Sequence, residues 1–551
     1  MKDTRAIGKM AIAAIIIVII IIAAAAGYYL TMPTGPKLKE TLIMGTTDSV
    51  ESCLDPARAY DFFGWQIIQS LSSGLVEYKA GATGAPDDIV PSLATDWTVS
   101  TNGMEYTFNL KQNVKYDDGT EFNATHVKYT FDRGIAIADE DGPFLNIGYG
   151  DIIENVTAVS KYVVKFYLKI PFAAFLSLLA CQASYIVDPT YAPMTVVEYN
   201  ASTTSRNNHP MGLGPYKLTN WTRIAGRDYE IRLEANSNYW NASGGYPKTK
   251  NIIIRMYSDA TSLATAITSG DIDIAFRQLT TSDINTMKTN ANLHVWEGTG
   301  AFIQYLCFQQ NGSQASSPFN NTKIRQAVAA AINRTALVQT VFLGDAEKLY
   351  SMIPIGMFGH SDSFLTFGDP NYTRTQQLLS EVGYNSTNKL TFELWYETSG
   401  HYPQSPQQAA VLKSSLEASG VISVTLVSRD WASYRDARRN EIMQAYILGW
   451  YPDYIDPDDY IFPFVHSVGG SWIHHNYANP EMDQLIEWAR GNTTSTARNT
   501  LYQQIQDLMV TDAAIVPLYQ GTANAVTKTN VKGIYLDITQ SWRHWLVYAE
   551  Q

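Results

Sequence analysis

The chain has 551 residues, which is too long for one hydrophobic core, so two or three domains are expected. Its net charge of −12 argues against a protein that binds nucleic acid through a basic surface. The densest basic run, residues 435–439, is interrupted by Asp436 and has the spacing of a solvated helix face.

The N-terminus carries the signature of an exported or membrane-anchored protein. Lys2, Arg5 and Lys9 precede residues 10–30, a run of 21 uncharged and mostly apolar residues that is long enough to span a bilayer. The basic flank places the N-terminus in the cytoplasm and the rest of the chain outside. A cleaved signal peptide and a retained anchor both fit. We favour the anchor because the run is long for a signal peptide and no Cys follows it for lipid attachment. Residues 31–37 contain the Pro and Gly of a linker.

Cysteines and glycosylation triplets fit a position outside the cell. Cys53, Cys181 and Cys307 lie too far apart to indicate a disulfide framework or a metal site, and are predicted to be small buried residues. Asn-x-Ser/Thr triplets are candidate glycan acceptors in an exported chain, although a chain rich in these residues also forms them by chance. The eleven triplets begin at Asn123, Asn155, Asn200, Asn220, Asn241, Asn311, Asn320, Asn333, Asn371, Asn385 and Asn492.

Beyond the linker, strands and helices alternate along the chain. The stretch TLIMGT, from residue 41, predicts a strand, and FFGWQIIQSLSSG predicts a helix that ends at Gly74. MEYTFNL, residues 104–110, alternates apolar side chains on one face and predicts a half-buried strand. NATHVKYTFDRG predicts a helix capped by Asn123 or Thr125.

In the later part of the chain a helix, a glycine and a strand recur as one unit. Helices are predicted to stop at Gly270, Gly383 and Gly420, and alternating strands follow the first and last of these glycines. Such units build mixed or parallel sheets covered by helices, so the predicted fold class is α/β with several lobes.

No catalytic signature is present in the sequence. The chain lacks a G-x-S-x-G elbow, an H-E-x-x-H motif, a C-x-x-C motif and a glycine-rich phosphate loop. A metal site at His474 and His475 with His466 is conceivable, but adjacent residues on a strand face opposite ways. We therefore predict no catalytic residue, no metal and no cofactor.

An acidic and aromatic stretch, GWYPDYIDPDDY at residues 449–460, follows a predicted buried strand. Its four Asp lie among four aromatic residues. They are able to hold a metal, perform acid–base chemistry, bind a charged ligand or form a turn. The spacing is not that of an EF-hand calcium loop. A pair of carboxylates would suit a glycosidase, which leaves an enzyme open as an alternative.

Seven stretches, in order, resemble the family 5 extracellular solute-binding proteins of ABC transporters, a family that includes oligopeptide- and dipeptide-binding proteins. The first, residues 93–133, has a Trp, an alternating strand, a D-G-T turn and a helix near A-x-x-V. The others are MGLGPYKLTNW, EANSNYW, TSGDIDIAF, FNNTKIRQAVAAAINR, YANPEMDQLIEWAR and AAIVPLY.

This resemblance implies a large periplasmic-binding-protein-like fold of two lobes with a hinge, plus an inserted domain. Ligand is expected in the cleft between the lobes. The implied boundaries are lobe I over 38–79, 206–301 and 510–551, inserted domain II over 80–205, and lobe III over 302–509.

The resemblance also assigns ligand-facing residues. Asp453, in W-x-x-D-Y, is expected to meet the α-ammonium of a bound peptide, which adds to the protein as an extended strand. The other three Asp are expected to form a turn and helix cap beside Pro457. The remaining candidate ligand-binding residues are Trp450, Tyr451, Tyr454, Trp431, Asp48, Ser49, Val50 and Phe144.

The predicted function is capture of oligopeptides for an ABC importer. Its partners would be two membrane permease subunits and, through them, cytoplasmic ATPases. Gly400, His401 and Tyr402 stand where dipeptide-selective members place an Arg for the ligand carboxylate, so a fixed dipeptide is not expected. Alternatives are an oligosaccharide receptor, a surface peptidase or glycosidase, and a sensory subunit without transport.

Overall fold

The computed structural model describes residues 37–197, 211–224, 227–277, 279–311, 317–399, 401–402 and 404–551. The predicted membrane anchor over residues 10–30 lies outside these ranges. Within them, no helix combines the length and apolar character that crossing a bilayer requires.

Nineteen strands are present in the described ranges. They are β1 Thr41–Thr46, β2 Val76–Tyr78, β3 Ile89–Pro91, β4 Ala94–Val99, β5 Glu105–Leu110, β6 Ile153–Ser160, β7 Val163–Leu168, β8 Tyr216–Ile224, β9 Arg227–Ala235, β10 Asn251–Met256, β11 Ile274–Phe276, β12 Leu293–Phe308, β13 Ala346–Lys348, β14 Leu390–Glu397, β15 Ile422–Arg429, β16 Ala445–Trp450, β17 Ile515–Lys528, β18 Val531–Lys532 and β19 Tyr548–Ala549.

Helices of varied length connect and cover these strands. The α-helices are α1 Phe62–Leu71, α2 Ala124–Ile137, α3 Pro143–Asn146, α4 Tyr149–Ile152, α5 Phe175–Ala180, α6 Ala260–Ser269, α7 Thr281–Met287, α8 Thr322–Ala331, α9 Arg334–Val341, α10 Tyr372–Ser380, α11 Ser405–Glu417, α12 Trp431–Arg439, α13 Phe462–Val465, α14 Pro480–Gly491 and α15 Ser495–Asp512. Short 3₁₀ helices include Pro457–Tyr460.

One mixed sheet of eleven strands forms the frame of the molecule. Its order is β15-β14-β16-β12-β17-β11-β1-β10-β9-β8, with β13 paired to β17 off this path. The β1 strand runs parallel to β10 and β11, and β14 runs parallel to β15 and β16. This confirms the mixed α/β sheet that the recurring helix, glycine and strand units predicted.

Two long strands carry the chain from one half of this sheet to the other. β12 and β17 pair antiparallel, and their register shifts between Thr299 and Ile303. On one side of the shift β17 pairs with β11, and on the other side β12 pairs with β16. The two halves of the sheet are therefore joined through a short irregular segment.

The strands of these sheets fall into the three ranges predicted for lobe I, domain II and lobe III. β1 and β8–β11 fall in the ranges predicted for lobe I, and β13–β16 fall in the range predicted for lobe III. A separate four-stranded antiparallel sheet, β4-β5-β7-β6, falls in the range predicted for domain II. The boundaries themselves stay predictions, and the three names are used below for the parts that contain these strands.

Local structure follows the sequence signals closely. Asn123 caps α2 by accepting a hydrogen bond from the backbone N–H of Thr125. Gly270 caps α6 directly, while Gly383 and Gly420 follow α10 and α11 after two residues. All three glycines have a left-handed φ, of 85°, 90° and 77° respectively, which only glycine adopts without a steric penalty.

Gly74 also follows its helix after two residues, but unlike Gly383 and Gly420 it does not adopt a left-handed φ, so the predicted glycine stop of α1 is wrong. The helix ends at Leu71 with Ser72 as its C-cap, and the Ser72 hydroxyl donates to the carbonyl of Ile186. Gly214 packs so closely against this turn that a Cβ atom there would lie 2.4 Å from the carbonyl oxygen of Ser70. Contacts with distant segments, and not the local glycine, therefore fix the end of the helix.

A fully buried ion pair ties lobe I to domain II. Arg133, on α2, donates from Nη1 and Nη2 to the two carboxylate oxygens of Asp55 at 2.9 and 2.6 Å, and the two side chains are 2% and 0% exposed. The same carboxylate accepts from the backbone N–H groups of Ala57 and Val197. The pair is bidentate and the carboxylate is well bonded, which is what a charge in the interior requires.

Removing one partner of this pair should strongly destabilise the protein. Arg133→Met keeps the length of the side chain but leaves Asp55 charged and buried, which costs about 3–5 kcal/mol. We expect a clear drop in the denaturation midpoint in urea, followed by circular dichroism. Lys128→Met, which removes an exposed pair with Asp132 on the same helix, should leave the midpoint nearly unchanged. Equal effects of the two variants would contradict a stabilising role for the buried pair.

Candidate functional site

The acidic stretch begins where β16 ends, at Trp450. β16 is a buried strand paired with β12, so its end is fixed at the junction of the two halves of the sheet. The chain then leaves the sheet through Pro452 and Asp453 and enters the 3₁₀ helix Pro457–Tyr460. The rigid sheet therefore positions the four carboxylates.

Two of these carboxylates are structural. Asp456 caps the 3₁₀ helix by accepting from the backbone N–H of Asp458, and it binds Arg498 at 2.6 and 3.0 Å. Asp458 pairs with Arg490 at 3.1 Å and accepts from the hydroxyl of Tyr454. Each has a cation beside it. The prediction of a helix cap is confirmed for Asp456, whereas Asp458 and Asp459 lie within the 3₁₀ helix that it caps.

The other two carboxylates, of Asp453 and Asp459, have no cation beside them. Asp459 accepts hydrogen bonds from the backbone N–H of Asp453 at 2.8 Å and from the indole N–H of Trp450 at 3.2 Å. Asp453 accepts from the hydroxyl of Tyr60 at 2.8 Å, across the boundary between lobe III and lobe I. In the described part of the chain, no Lys, Arg or His forms an ion pair with either carboxylate.

Burial without a counter-charge disfavours ionisation of both groups. Desolvation raises the pKa of Asp453 to about 7, although the hydrogen bond from Tyr60 acts in the opposite direction. Desolvation, and then the neighbouring charge of Asp453, raises the pKa of Asp459 well above its usual range. Of the two, only Asp453 lines a cavity, so a cation entering there would meet a carboxyl group that can lose its proton to pair with it.

Asp453 lines a small cavity of about 40 Å³, to which all three parts of the molecule contribute. We call this the small cavity. Its polar and reactive lining side chains include Gln66, Tyr78, Thr539 and Ser541 from lobe I, Cys181 and Gln182 from domain II, and Asp453 and Tyr454 from lobe III. A ligand held here would touch every part of the protein at once.

A second and larger cavity of about 610 Å³ lies between the lobes. We call this the large cavity. Polar side chains such as Arg277 and Asp345 share its walls with six aromatic residues, Phe276, Phe302, Phe342, Tyr402, Tyr451 and Tyr519. Its volume is in the usual range for binding sites of small molecules and short peptides.

The two cavities adjoin at a pair of aromatic rings. Phe62, at the start of α1, lines the small cavity, Tyr451 lines the large one, and their ring centroids are 5.9 Å apart. The Arg277 guanidinium lies 4.2 Å from the Phe62 ring centroid and pairs with Asp48 at 3.3 Å. The contact of these two rings therefore marks the border between the small cavity and the large one.

The structure brings together only some of the residues predicted to bind ligand. Asp453 and Tyr454 line the small cavity and Tyr451 lines the large one. Trp450 instead bonds Asp459 and packs on Trp472, with ring centroids 5.6 Å apart.

Trp431 stands one layer behind the large cavity. It stacks on His401 at 3.8 Å and contacts Tyr402, which lines that cavity, edge to face at 5.5 Å.

The lobe I loop and the domain II aromatic are placed away from both cavities. Asp48 reaches the site only through its pair with Arg277, and Ser49 is exposed. Val50 is buried, and its N–H donates to Asp228. Phe144 is buried in the core of domain II, where its ring lies 4.4 Å from that of Tyr149.

Several residues that line the cavities or bond Asp453 were not predicted from the sequence. Tyr60, Gln66 and Arg277 carry no motif that marks them, and Tyr60 is separated from its partner Asp453 by 393 positions. Tyr402 stands out in the sequence only as a departure from an expected Arg. Only the three-dimensional structure shows that these residues share one site.

Within the described ranges, the histidines and cysteines build neither a metal site nor a disulfide. No group of three His, Cys, Asp or Glu is arranged there to hold a metal ion. All three cysteines are buried and unbridged.

Of the eleven candidate glycan acceptors, Asn200 lies outside the described ranges and none of the other ten is buried. Three of them, Asn123, Asn333 and Asn371, serve as helix caps. Glycan attachment stays a prediction.

Comparison with known proteins gives a consistent result. A family profile described as "Bacterial extracellular solute-binding proteins, family 5 Middle" matches residues 88–472, more than half of the chain. The chain is similar to heme-binding protein A of Haemophilus influenzae, with 27% identity over 486 residues and 84% of each chain covered. It is also similar to a probable D,D-dipeptide-binding periplasmic protein of Escherichia coli, with 28% identity, 90% of this chain and 91% of the relative covered.

Solved structures share the fold. A periplasmic binding protein of Helicobacter pylori, in complex with the peptide STSA, superposes with a TM-score of 0.75 and 23% identity, covering 94% of this chain and 99% of that chain. At this level of identity the likeness concerns the fold and leaves the ligand open.

The raised pKa of Asp453 predicts how stability depends on pH. Because the folded pKa of about 7 lies above the ordinary 3.8, the protonated carboxyl favours folding fully below pH 4. This contribution is lost as the pH rises towards 7. Asp453→Asn cannot ionise, so at pH 8 the unliganded variant should be more stable than the wild type by on the order of a few kcal/mol.

Thermal melts of both proteins between pH 4 and pH 8 test this. The two melting temperatures should converge near pH 4 and separate as the pH rises. A constant difference across the range would show that Asp453 does not ionise in a buried setting.

Proposed function

Because the chain belongs to the family 5 bacterial extracellular solute-binding proteins, as the sequence resemblance predicted, we propose that it captures oligopeptides outside the cell for an ABC importer. One observation carries the choice of ligand: the carboxyl group of Asp453 is buried between the lobes and has no cation beside it in the described part of the chain. A peptide with a free amino terminus supplies that cation.

The chemistry of a peptide terminus matches this site. An α-ammonium has three N–H donors, and a charge-assisted hydrogen bond to a carboxylate in a dry site is among the stronger polar interactions in proteins. The ammonium also offsets the penalty that burial imposes on the ionised carboxyl group. The large cavity then offers aromatic walls that accept side chains of many shapes.

Capture requires that the cleft open and close. We assign the hinge to the irregular segment of β12 and β17 near Thr299, where the chain crosses between the two halves of the sheet. The closed arrangement would be the form that is delivered to two permease subunits, whose ATPases act inside the cell. The predicted N-terminal anchor would keep the protein at the membrane.

Loss of the Asp453 charge should abolish recognition of the free amino terminus. For an oligopeptide with a free amine, Asp453→Asn should weaken binding at least about 30-fold, because an uncharged amide leaves the buried ammonium unpaired. Isothermal titration calorimetry measures the affinity. The N-acetylated form of the same peptide should bind weakly and equally to both proteins.

Asp151→Asn is the matched control, because it changes net charge equally at an exposed position of domain II. It should bind both peptides as the wild type does. If neutral oligosaccharides bound tightly while every free-amine peptide failed, the oligosaccharide alternative would replace this proposal. Cleaved products after prolonged incubation would favour the enzyme alternative.

Binding should also release a proton at mildly acidic pH. Asp453 is protonated below its pKa of about 7 in the unliganded protein and must ionise to pair with an ammonium. Affinity for a free-amine peptide should therefore fall up to tenfold for each pH unit below 7 and level off just above it. Calorimetry in buffers of different ionisation enthalpy measures the released proton, and Asp453→Asn should show no release.

A further inference from the structure

Gln66 is a buried polar side chain whose hydrogen bonds are missing. It lies on α1, which also supplies Phe62 and Trp65 to the small cavity, and its side chain is 3% exposed. Neither the amide nitrogen Nε2 nor the oxygen Oε1 has a hydrogen-bond partner in the described part of the chain. A buried donor and a buried acceptor without partners are together a substantial penalty to folding.

The unpaired amide of Gln66 faces the small cavity, so a group bound in that cavity would be able to form the missing hydrogen bonds. Gln66 and Asp453 line the same small cavity, from lobe I and lobe III respectively. Gln182 of domain II also lines it, and its Nε2 donates to Ser541 of lobe I at 3.4 Å. A group placed beside Asp453 would therefore be within a polar enclosure in which one amide is still unpaired.

The size of the small cavity limits what enters it. Its volume of about 40 Å³ exceeds the roughly 10–15 Å³ that a cavity needs to hold one water molecule, and it is far below the 610 Å³ of the large cavity. The small cavity therefore favours a short side chain over an aromatic or a long aliphatic one. Larger side chains fit only beyond Phe62 and Tyr451, in the large cavity.

We propose that Gln66 selects a small first side chain that forms hydrogen bonds. This inference rests on the proposed function, in which Asp453 holds the amino terminus, so that the first residue of the peptide lies in the small cavity. A serine hydroxyl both donates and accepts, so it satisfies either atom of the Gln66 amide. A threonine hydroxyl and an asparagine amide have the same capacity, whereas alanine has the size and lacks the bonds.

Gln66→Met is the variant that tests this role. Methionine has nearly the same length and volume but no hydrogen-bonding amide, and it adapts to irregular core space. The matched control is Gln69→Met on the same helix. Gln69 is also buried and its Oε1 also lacks a partner, but it does not line the small cavity.

Two free-amine peptides that differ only in a first Ser or Ala are titrated calorimetrically into all three proteins. The wild type and Gln69→Met should bind the Ser peptide about tenfold more tightly than the Ala peptide. Gln66→Met should bind the Ala peptide as the wild type does and lose the preference for Ser. Its unliganded form should also melt at a higher temperature than the wild type, because the unpaired amide is gone.

The outcomes separate this inference from the proposed function. If free-amine peptides bind and the Ser preference is absent in the wild type, or survives in Gln66→Met, the role of Gln66 is overturned while Asp453 keeps its role. An equal loss for both peptides in Gln66→Met would mean that the side chain only supports the fold, and would also overturn it. If no free-amine peptide binds the wild type, both proposals fall together. The wild type alone, titrated with the two peptides, can overturn the Ser preference, so the test does not depend on Gln66→Met folding correctly.

Discussion

The carboxyl group of Asp453 is held at the meeting point of lobe I, domain II and lobe III, where burial raises its pKa to about 7. Nearby Asp456 and Asp458 are buried as well, yet each has an arginine beside it. The difference matters because a buried carboxylate with a partner is a structural element, whereas one without a partner is energetically incomplete. Asp453 is the carboxyl group of this incomplete kind that lines the small cavity, so the proposed preference for a cationic ligand depends on it.

The architecture explains why such a group is tolerated. β12 and β17 join the two halves of the sheet, and Gly300 packs against Gly521 so closely that a Cβ atom there would lie 2.3 Å from the Gly521 carbonyl oxygen. The pairing of β12 with β17 is interrupted at this crossing, and the two strands alone join the halves of the sheet there, so a bending motion would concentrate at this segment. The penalty on Asp453 belongs to the closed arrangement of the unliganded protein, which is the arrangement of this structure. Water returns to the carboxyl group only when the crossing bends and the lobes separate.

The sequence was sufficient where a signal is local and insufficient where residues meet across long distances. Gly270 and Asn123 end and begin their helices as predicted, because capping depends on a few neighbouring residues. The prediction that Gly74 stops α1 was wrong because contacts with distant segments set the end of this helix. Asp453 was nominated by resemblance, but its bond with Tyr60 and the unpaired amide of Gln66 depend on packing that no local pattern encodes.

Charge and closure are linked in this arrangement. At neutral pH, bringing the lobes together around an empty site either forces a proton onto Asp453 or buries its charge beside Asp459, and both reactions oppose closure. An ammonium removes this opposition, so its binding energy acts only in the closed form, which is the condition for a ligand to shift a conformational equilibrium. A neutral sugar would satisfy hydrogen bonds but leave the carboxyl group unpaired. Gln66 acts after this step. Once the ammonium has permitted closure, the amide of Gln66 is still unpaired in a space of about 40 Å³, and a first residue that bonds it is bound more tightly than one that does not.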